Sequence, residues 1–235
     1  MTVNEVMEEL RALGCESIKK VLRNHRVEEP FFGVRIGDMK KIQKRIKKDY
    51  ELALELYDTG NYDAMYFSGL IADDEKMTKK DLRHWVKKAK GGGLALFTVP
   101  WVAAGSPHGD ELAKEWIDAK DEHVAVAGWA TLSSLVALKS DEDLDVLELK
   151  RCLKRVQKTI QSRPNFCRYA MNGFVIAVGT YVQPLTDEAM RVAKKIGTVT
   201  VDMGNTSCQV PDARAHLKKA QKSGRIGKKR KTVKC

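Results

Sequence analysis

The sequence has 235 residues, 43% of them apolar, so we expect a body that folds around a core rather than a disordered chain. It contains no apolar run of about 18 residues and shows no secretory signal at its start, which argues against a membrane span or export. The net charge is +11, and nine Lys or Arg residues with no acid lie between Lys218 and Cys235, which favours nucleic acid as a partner.

Apolar residues recur at helical spacing from the beginning of the chain. A first stripe, over residues 3–13, follows the pair Thr2 and Glu5, whose spacing is that of a capping box. Further stripes cover residues 82–89, 149–160 and 185–196. Each of these stripes predicts one face of an amphipathic helix that turns toward a core.

Glycines and prolines divide these stripes from one another. Gly91-Gly92-Gly93 breaks the chain, and four prolines stand where a new helix can begin, at Pro107, Pro164, Pro184 and Pro211. The pattern predicts at least ten short helices and no sheet of three or more strands. Such a series is typical of an all-α fold, an α-solenoid of stacked antiparallel helix pairs.

Three predicted helices carry clusters of basic residues on their polar faces. The clusters span residues 40–48, 76–88 and 150–158, and the first includes Lys40, Lys44, Arg45 and Lys48. Each cluster alone is typical of a solvated helix face. Aligned in one stack, the three would line a concave basic groove that follows a phosphate backbone.

Two further features have both a structural and a functional interpretation. Asn165, Arg168 and Asn172 share one helix face beside Tyr169, either as a hydrogen-bond network between helices or as a lining of the groove. The stretch from Val201 to Pro211 is the least helical part of the chain. It is either an ordered connecting loop or, through Asp202, the source of a surrogate acid.

Several runs resemble the DNA alkylation repair (AlkD-like) family over residues 1–200. They are Pro30-Phe31-Phe32-Gly33-Val34-Arg35-Ile36, then Tyr50-Glu51-Leu52-Ala53-Leu54-Glu55-Leu56-Tyr57, Trp116, and Asn172-Gly173-Phe174. The resemblance implies an α-solenoid of HEAT-like repeats that holds duplex DNA on its concave face. It also implies a relation to glycosylases that excise alkylated purines, whose cationic transition state needs a nearby carboxylate.

The sequence departs from the family pattern where the chemistry is expected. The family motif is an aromatic residue followed by Thr-Val-Asp, and here the run Leu96-Phe97-Thr98-Val99-Pro100 places proline at the aspartate position. Leu96 stands near the position of a family tryptophan, with Trp101 close by, and Phe174 matches a second one. The segment from His123 to Ala127 lacks the arginine pair of the family. The resemblance therefore predicts the fold without the usual catalytic group.

These observations predict a HEAT-like repeat domain over residues 1–217 and a basic tail over residues 218–235. The leading hypothesis is a monomeric DNA-binding protein of the alkylation repair family that recognises duplex, damaged or branched DNA through backbone and shape. The alternatives are a glycosylase with a rearranged active site and a HEAT-like scaffold for protein partners. The five scattered cysteines, without a C-x-x-C pair, predict a reduced cytoplasmic protein with no metal site and no cofactor.

The residues predicted to bind DNA come from all of these features. They are Lys40, Lys44, Arg45, Lys48, Trp101, Arg168, Tyr169, Asn172, Phe174, Lys228, Lys229 and Arg230. No catalytic residue is assigned, and Asp202 is the candidate acid.

Overall fold

A computed structural model of the protein describes residues 1–91 and 93–235, and every regular element within them is helical. Gly92, the middle residue of the predicted glycine break, lies outside the described residues. The predictions of an all-α chain and of at least ten helices are confirmed for the described part of the chain. Its thirteen α-helices are α1 (Val3–Leu13), α2 (Glu16–Asn24), α3 (Ile36–Ile46), α4 (Tyr50–Asp58), α5 (Tyr62–Ile71), α6 (Lys79–Lys88), α7 (Val99–Gly105), α8 (Gly109–Trp116), α9 (Glu122–Leu138), α10 (Val146–Thr159), α11 (Asn165–Tyr181), α12 (Thr186–Ile196) and α13 (Ala213–Lys222).

Short helical turns complete the backbone. Four are 3-10 turns, at Asp74–Lys76, Asp141–Asp143, Ile160–Ser162 and Gln183–Leu185, and one is a π turn at Leu94–Thr98. Within the residues that the structure describes, no helix is long and apolar enough to cross a membrane.

The helix ends follow the capping chemistry of the sequence. The Thr2 hydroxyl accepts a hydrogen bond from the backbone of Glu5, whose carboxylate in turn accepts from the Thr2 backbone, so the predicted capping box is present. Thr78 and Asp81 form the same reciprocal pair at the start of α6. Such caps satisfy backbone N–H groups that have no partner within the first helical turn.

The chain forms two compact units. The N-terminal unit comprises Met1–His108, Met203–Ser207 and Lys234–Cys235. Within it α4 and α5 are joined by only three residues and pack together, so they run in opposite directions, and α5 also contacts α1, α3 and α7. The ring of Tyr57 stacks on Trp85 at 4.1 Å, and its hydroxyl donates to the Trp85 carbonyl oxygen at 2.9 Å.

The C-terminal unit comprises Gly109–Asp202 and Cys208–Val233. In this unit α9 packs against α8 and α11, and α11 also contacts α12 and α13. The approach of α8 to α9 requires a glycine, because a Cβ atom at Gly128 would lie 2.6 Å from the backbone nitrogen of Ile117. The rings of Trp129 and Phe174 meet at 5.2 Å and fill the space between α9 and α11.

The basic C-terminal run begins inside a packed helix. Lys218 belongs to α13, whose Leu217 and Ala220 are buried. The division into a body of residues 1–217 and a tail of residues 218–235 stays a prediction. A truncation at residue 218 would cut α13, so the charges of this region are better tested by single substitutions.

Candidate nucleic-acid interface

Three exposed lysines lie on α3 and at its C-terminal end. Lys40 and Lys44 are one helical turn apart on α3, and Lys47 directly follows the last helical residue, Ile46, with a φ of 65°. In the described part of the chain none of the three forms an ion pair or a side-chain hydrogen bond. Met39 and Ile42 are buried and hold the opposite side of α3 against the core. We call these three lysines the α3 lysine face.

The other basic residues of this cluster have carboxylate partners. Lys41 pairs with Asp38 at 2.8 Å, Arg45 pairs with Glu9, and Lys48 reaches Asp73 at 3.4 Å. Of the four residues of this cluster predicted to bind DNA, Lys40 and Lys44 have no carboxylate partner, whereas Arg45 and Lys48 each have one. The prediction omits Lys47, although the spacing of the three lysines is visible in the sequence.

A loop bound to one carboxylate leads into α3. Asp63 is 2% exposed, and its carboxylate accepts hydrogen bonds from the backbone nitrogens of Phe32 at 2.6 Å, Gly33 at 2.9 Å and Val34 at 2.9 Å. Gly33 has a φ of 76°, and a Cβ atom there would lie 2.7–2.8 Å from Lys19 and Cys15. The aromatic-Gly-Val-Arg run of the sequence is therefore a structural feature that positions α3. Sequence reasoning missed Asp63, whose partners lie about thirty residues earlier.

Aromatic residues of the N-terminal unit surround the degenerate catalytic motif. Trp101 is 5% exposed and meets the ring of Tyr66 edge-on at 5.6 Å and the ring of Phe97 at 5.9 Å. Phe97 is 44% exposed, so it presents a ring to solvent beside the buried tryptophan. Burial, with a contribution from a hydrogen bond to Cys235, raises the pKa of Tyr66. This cluster offers an aromatic surface and a neutral phenol.

Pro100 is buried in the first turn of α7, directly after the π turn. Proline has no backbone N–H, and the wider π turn, in which the Val99 nitrogen donates to the Leu94 carbonyl oxygen, removes the need for the regular bond at this point. The side chain at this position therefore serves the backbone geometry and supplies no charge.

In the C-terminal unit α10 presents a second lysine row. Lys150, Lys154 and Lys158 are exposed and follow one another at intervals of four residues. The arginines of this helix are engaged instead. Arg155 binds Asp118 at 2.6 Å and the Ile117 carbonyl oxygen at 2.9 Å, and its guanidinium lies over the ring of Trp129.

The polar stripe of α11 is largely engaged within the protein. The Asn165 side chain exchanges two hydrogen bonds of 2.7 Å with the backbone of Asp202. The Arg168 guanidinium donates to Asn165 at 3.3 Å. Asn172 is buried and donates to the Pro211 carbonyl oxygen at 2.8 Å. These contacts join α11 to a loop rather than to another helix, and they hold the loop that contains Asp202 against α11.

The other predicted residues of α11 are also enclosed. Phe174 is fully buried against Trp129, and Tyr169 is half-buried, with burial raising its pKa. A DNA contact by Phe174 would require α11 to move, and such contacts by these residues stay a prediction.

Neighbouring basic residues near the C-terminus differ in their exposure and in their partners. Lys229 donates to the Val136 carbonyl oxygen at 3.0 Å and pairs with Asp141 at 2.7 Å. Lys228 and Arg230 are exposed on either side of it in the sequence. Lys234, in the N-terminal unit, pairs with Asp74 at 2.7 Å. Across the described ranges, no group of three or more His, Cys, Asp or Glu side chains has the arrangement of a metal site.

The model of the family described as "DNA alkylation repair enzyme" matches residues 6–217. The chain belongs to the DNA alkylation repair enzyme family. The family resemblance read from the sequence is therefore confirmed.

Relatives of similar length support the same assignment. An uncharacterized protein of Listeria innocua is 34% identical over 94% of this chain and 98% of its own length, and one of Listeria monocytogenes is 33% identical over the same shares. One solved structure superposes with a TM-score of 0.92 and 37% identity over the whole of both chains. It represents a new family of proteins related to the HEAT-like repeat DNA glycosylases with affinity for branched DNA structures. The HEAT-like fold predicted for this chain is confirmed.

The family assignment bears on the chemistry expected at Pro100. The resemblance described from the sequence predicts an aspartate at the position of Pro100, and this proline is buried. The aromatic neighbours Phe97 and Trp101 remain at the site. This member of the family keeps aromatic surface at the motif without the carboxylate beside it.

Proposed function

We propose that this protein binds DNA in the cytoplasm as a monomer, with a preference for branched duplexes, through contacts to the phosphate backbone. The observation that carries the proposal is the α3 lysine face, because three exposed ammonium groups without carboxylate partners are available to phosphates. The lysine row of α10 supplies a second basic surface. The affinity for branched DNA of the structurally similar family supports the preference for junctions.

Backbone contacts suit branched DNA for a physical reason. Phosphate contacts position a protein without reading bases, so selectivity comes from how phosphates are arranged in space. A junction presents phosphates from several duplex arms, whereas a linear duplex presents those of one. A scaffold for protein partners would not require unpaired lysines on one helix face.

Base excision is the second candidate, and Pro100 disfavours it. A sugar cation developing in the transition state needs a nearby negative charge, and losing a preorganised electrostatic group commonly lowers the rate by about 10²–10³. Asp202 is the candidate for a relocated acid. It lies in a loop whose backbone is held by Asn165.

The test compares a four-way junction with a linear duplex by fluorescence anisotropy at several salt concentrations. We expect tighter binding to the junction and a steep fall in affinity with salt. Replacement of Lys40, Lys44 and Lys47 together by Gln should lower the log–log salt slope by up to about 2.7, or about 0.9 for each lost phosphate contact.

The control is Lys41→Gln, on the same helix, which removes one positive charge where the triple variant removes three. Lys41 already pairs with Asp38 at 2.8 Å. Its replacement should therefore leave the slope nearly unchanged. An unchanged slope in the triple variant, or an equal change in the control, would show that the α3 lysine face does not contact DNA.

A further inference from the structure

A basic cavity lies in the C-terminal unit, and its lining includes Lys228 and Arg230, two of the residues predicted to bind DNA. It has a volume of about 330 Å³ and is bordered by the end of α11, by α13 and by the segment that follows α13. Five of the side chains that line it are basic in type, and no carboxylate lines it: His216, Lys219, Arg225, Lys228 and Arg230. Its volume reaches the lower end of the range found for small-molecule sites.

The backbone that carries these side chains is held in place. The backbone nitrogen of Gly227 donates to the Thr180 carbonyl oxygen at 2.9 Å, and that of Arg225 donates to Ala220 at 3.0 Å. The nitrogen of Arg230 donates to Ala137 at 2.7 Å. The cations are thus presented by a chain segment that is anchored to α9, α11 and α13, which lowers the entropy cost of binding.

The charges at the cavity have no counter-charges within the chain as described. Lys219, Arg225, Lys228 and Arg230 take part in none of the ion pairs of the described residues. Lys229, between two of them, instead pairs with Asp141. Gathering cations without acids raises the electrostatic energy of the protein, and an anion in the cavity would lower it.

One uncharged group at the cavity also lacks a partner. Thr180 lines the cavity and is 8% exposed, and its hydroxyl group makes no hydrogen bond within the described residues. A buried hydroxyl without a partner is uncommon and costs free energy. Its oxygen has less than 1 Å² of accessible surface, so the charged side chains and not this hydroxyl face the contents of the cavity.

We propose that this cavity binds a terminal phosphate group, either that of a free nucleotide or the 5′-phosphate of a DNA end. A phosphomonoester carries up to two negative charges and three free oxygens, so it can accept from guanidinium and ammonium groups together. A carboxylate would neutralise one cation and leave the others unpaired. The site is independent of the α3 lysine face and goes beyond backbone binding to DNA.

The experiment uses the full chain and two probes. Isothermal titration with 2′-deoxyadenosine 5′-monophosphate tests the free nucleotide. Fluorescence anisotropy with one short duplex, carrying either a 5′-phosphate or a 5′-hydroxyl, tests the DNA end. We expect the phosphorylated duplex to bind more tightly than its hydroxyl counterpart, or the mononucleotide to bind by itself.

Variants connect binding to the cavity. Arg225→Ala and Lys219→Ala should each weaken phosphate-dependent binding about tenfold without lowering the thermal unfolding temperature. Lys218→Ala is the control, since Lys218 lies on the same helix as Lys219 but does not line the cavity.

The outcomes separate the two sources and the two proposals. Mononucleotide binding that the cavity variants weaken indicates a small-molecule site, and discrimination by the duplexes alone indicates a DNA-end site. If neither probe shows a phosphate-dependent effect, or if Lys218→Ala weakens it as much as Arg225→Ala, the site does not exist as proposed. Binding of the 5′-hydroxyl duplex reports on the α3 lysine face separately.

Discussion

Replacing Asp63 tests the physical basis of the loop that positions α3. The Asp63→Ala variant removes the acceptor of three backbone N–H groups, those of Phe32, Gly33 and Val34. The bonds from Gly33 and Val34 are buried, and the one from Phe32 is partly accessible to water. A hydrogen bond to a charged group contributes about 1.5–3 kcal/mol, so the two buried bonds with a smaller third give a loss of about 4 kcal/mol.

Urea unfolding followed by circular dichroism measures this loss. With a slope of about 2 kcal/mol per molar urea, a loss of about 4 kcal/mol lowers the midpoint by about 2 M. The Asp63→Asn variant keeps one accepting oxygen and should lose about half as much. If Asp63→Ala does not fold, the Asn variant still provides the measurement.

A partly exposed carboxylate on another helix, Asp38 of α3, serves as the control. Asp38 pairs with Lys41 at the surface, and Asp38→Asn should shift the midpoint far less than either Asp63 variant. A midpoint for Asp63→Ala within about 0.3 M of the parent protein would refute the reasoning, because three donors would then have lost their acceptor at almost no cost.

Three other predictions concern titration, chemistry and packing. Burial, followed by the hydrogen bond to Asp81, raises the pKa of Tyr50 to about 12. The contribution of the neutral Tyr50 side chain to stability is therefore present below about pH 10 and is lost as the pH rises toward 12. Phenolate absorbance compared with Tyr50→Phe should show this late titration, and Asp81→Asn should bring it to lower pH. The unmodified protein should release N-methylated purine from duplex DNA at least about 10²-fold more slowly than a relative with the catalytic aspartate, and Pro100→Asp should not fully restore release. Robust release that disappears in Asp202→Asn would overturn this prediction. Gly128→Ala should destabilise the protein by about 1–3 kcal/mol in urea unfolding, because its Cβ would meet the backbone just after α8 at 2.6 Å, and an unchanged midpoint would contradict that contact.

The helices were predictable because their signals are local. The capping box of Thr2 and Glu5 spans three residues, and the stripe over residues 185–196 repeats every three or four. Such patterns depend on the geometry of a single helix, which the order of residues determines directly. The family resemblance could also be recognised from the sequence, since it rests on short runs such as Phe32-Gly33-Val34-Arg35.

The assignment of residues within the candidate site was less predictable. Sequence spacing grouped Arg45 with Lys44, yet only the fold brings Glu9 to Arg45 and leaves Lys44 unpaired. From the sequence, a polar residue on an apolar helix can either bond to a neighbouring segment or line a groove. The burial of Asn172 against the loop before α13 depends on the packing of the fold, which the sequence pattern does not show.

The sequence by itself determined the helical class, the positions of the caps and the family, and it predicts that Pro100 stands in place of the usual aspartate. Those properties depend on residues close together in the chain or on identity at one position. Only the tertiary structure decided that Asp63 holds the loop before α3, which lysines lack partners, and that Thr180 and Arg225 border one cavity. These depend on contacts between residues about thirty or more positions apart, and packing of the whole core brings such residues together.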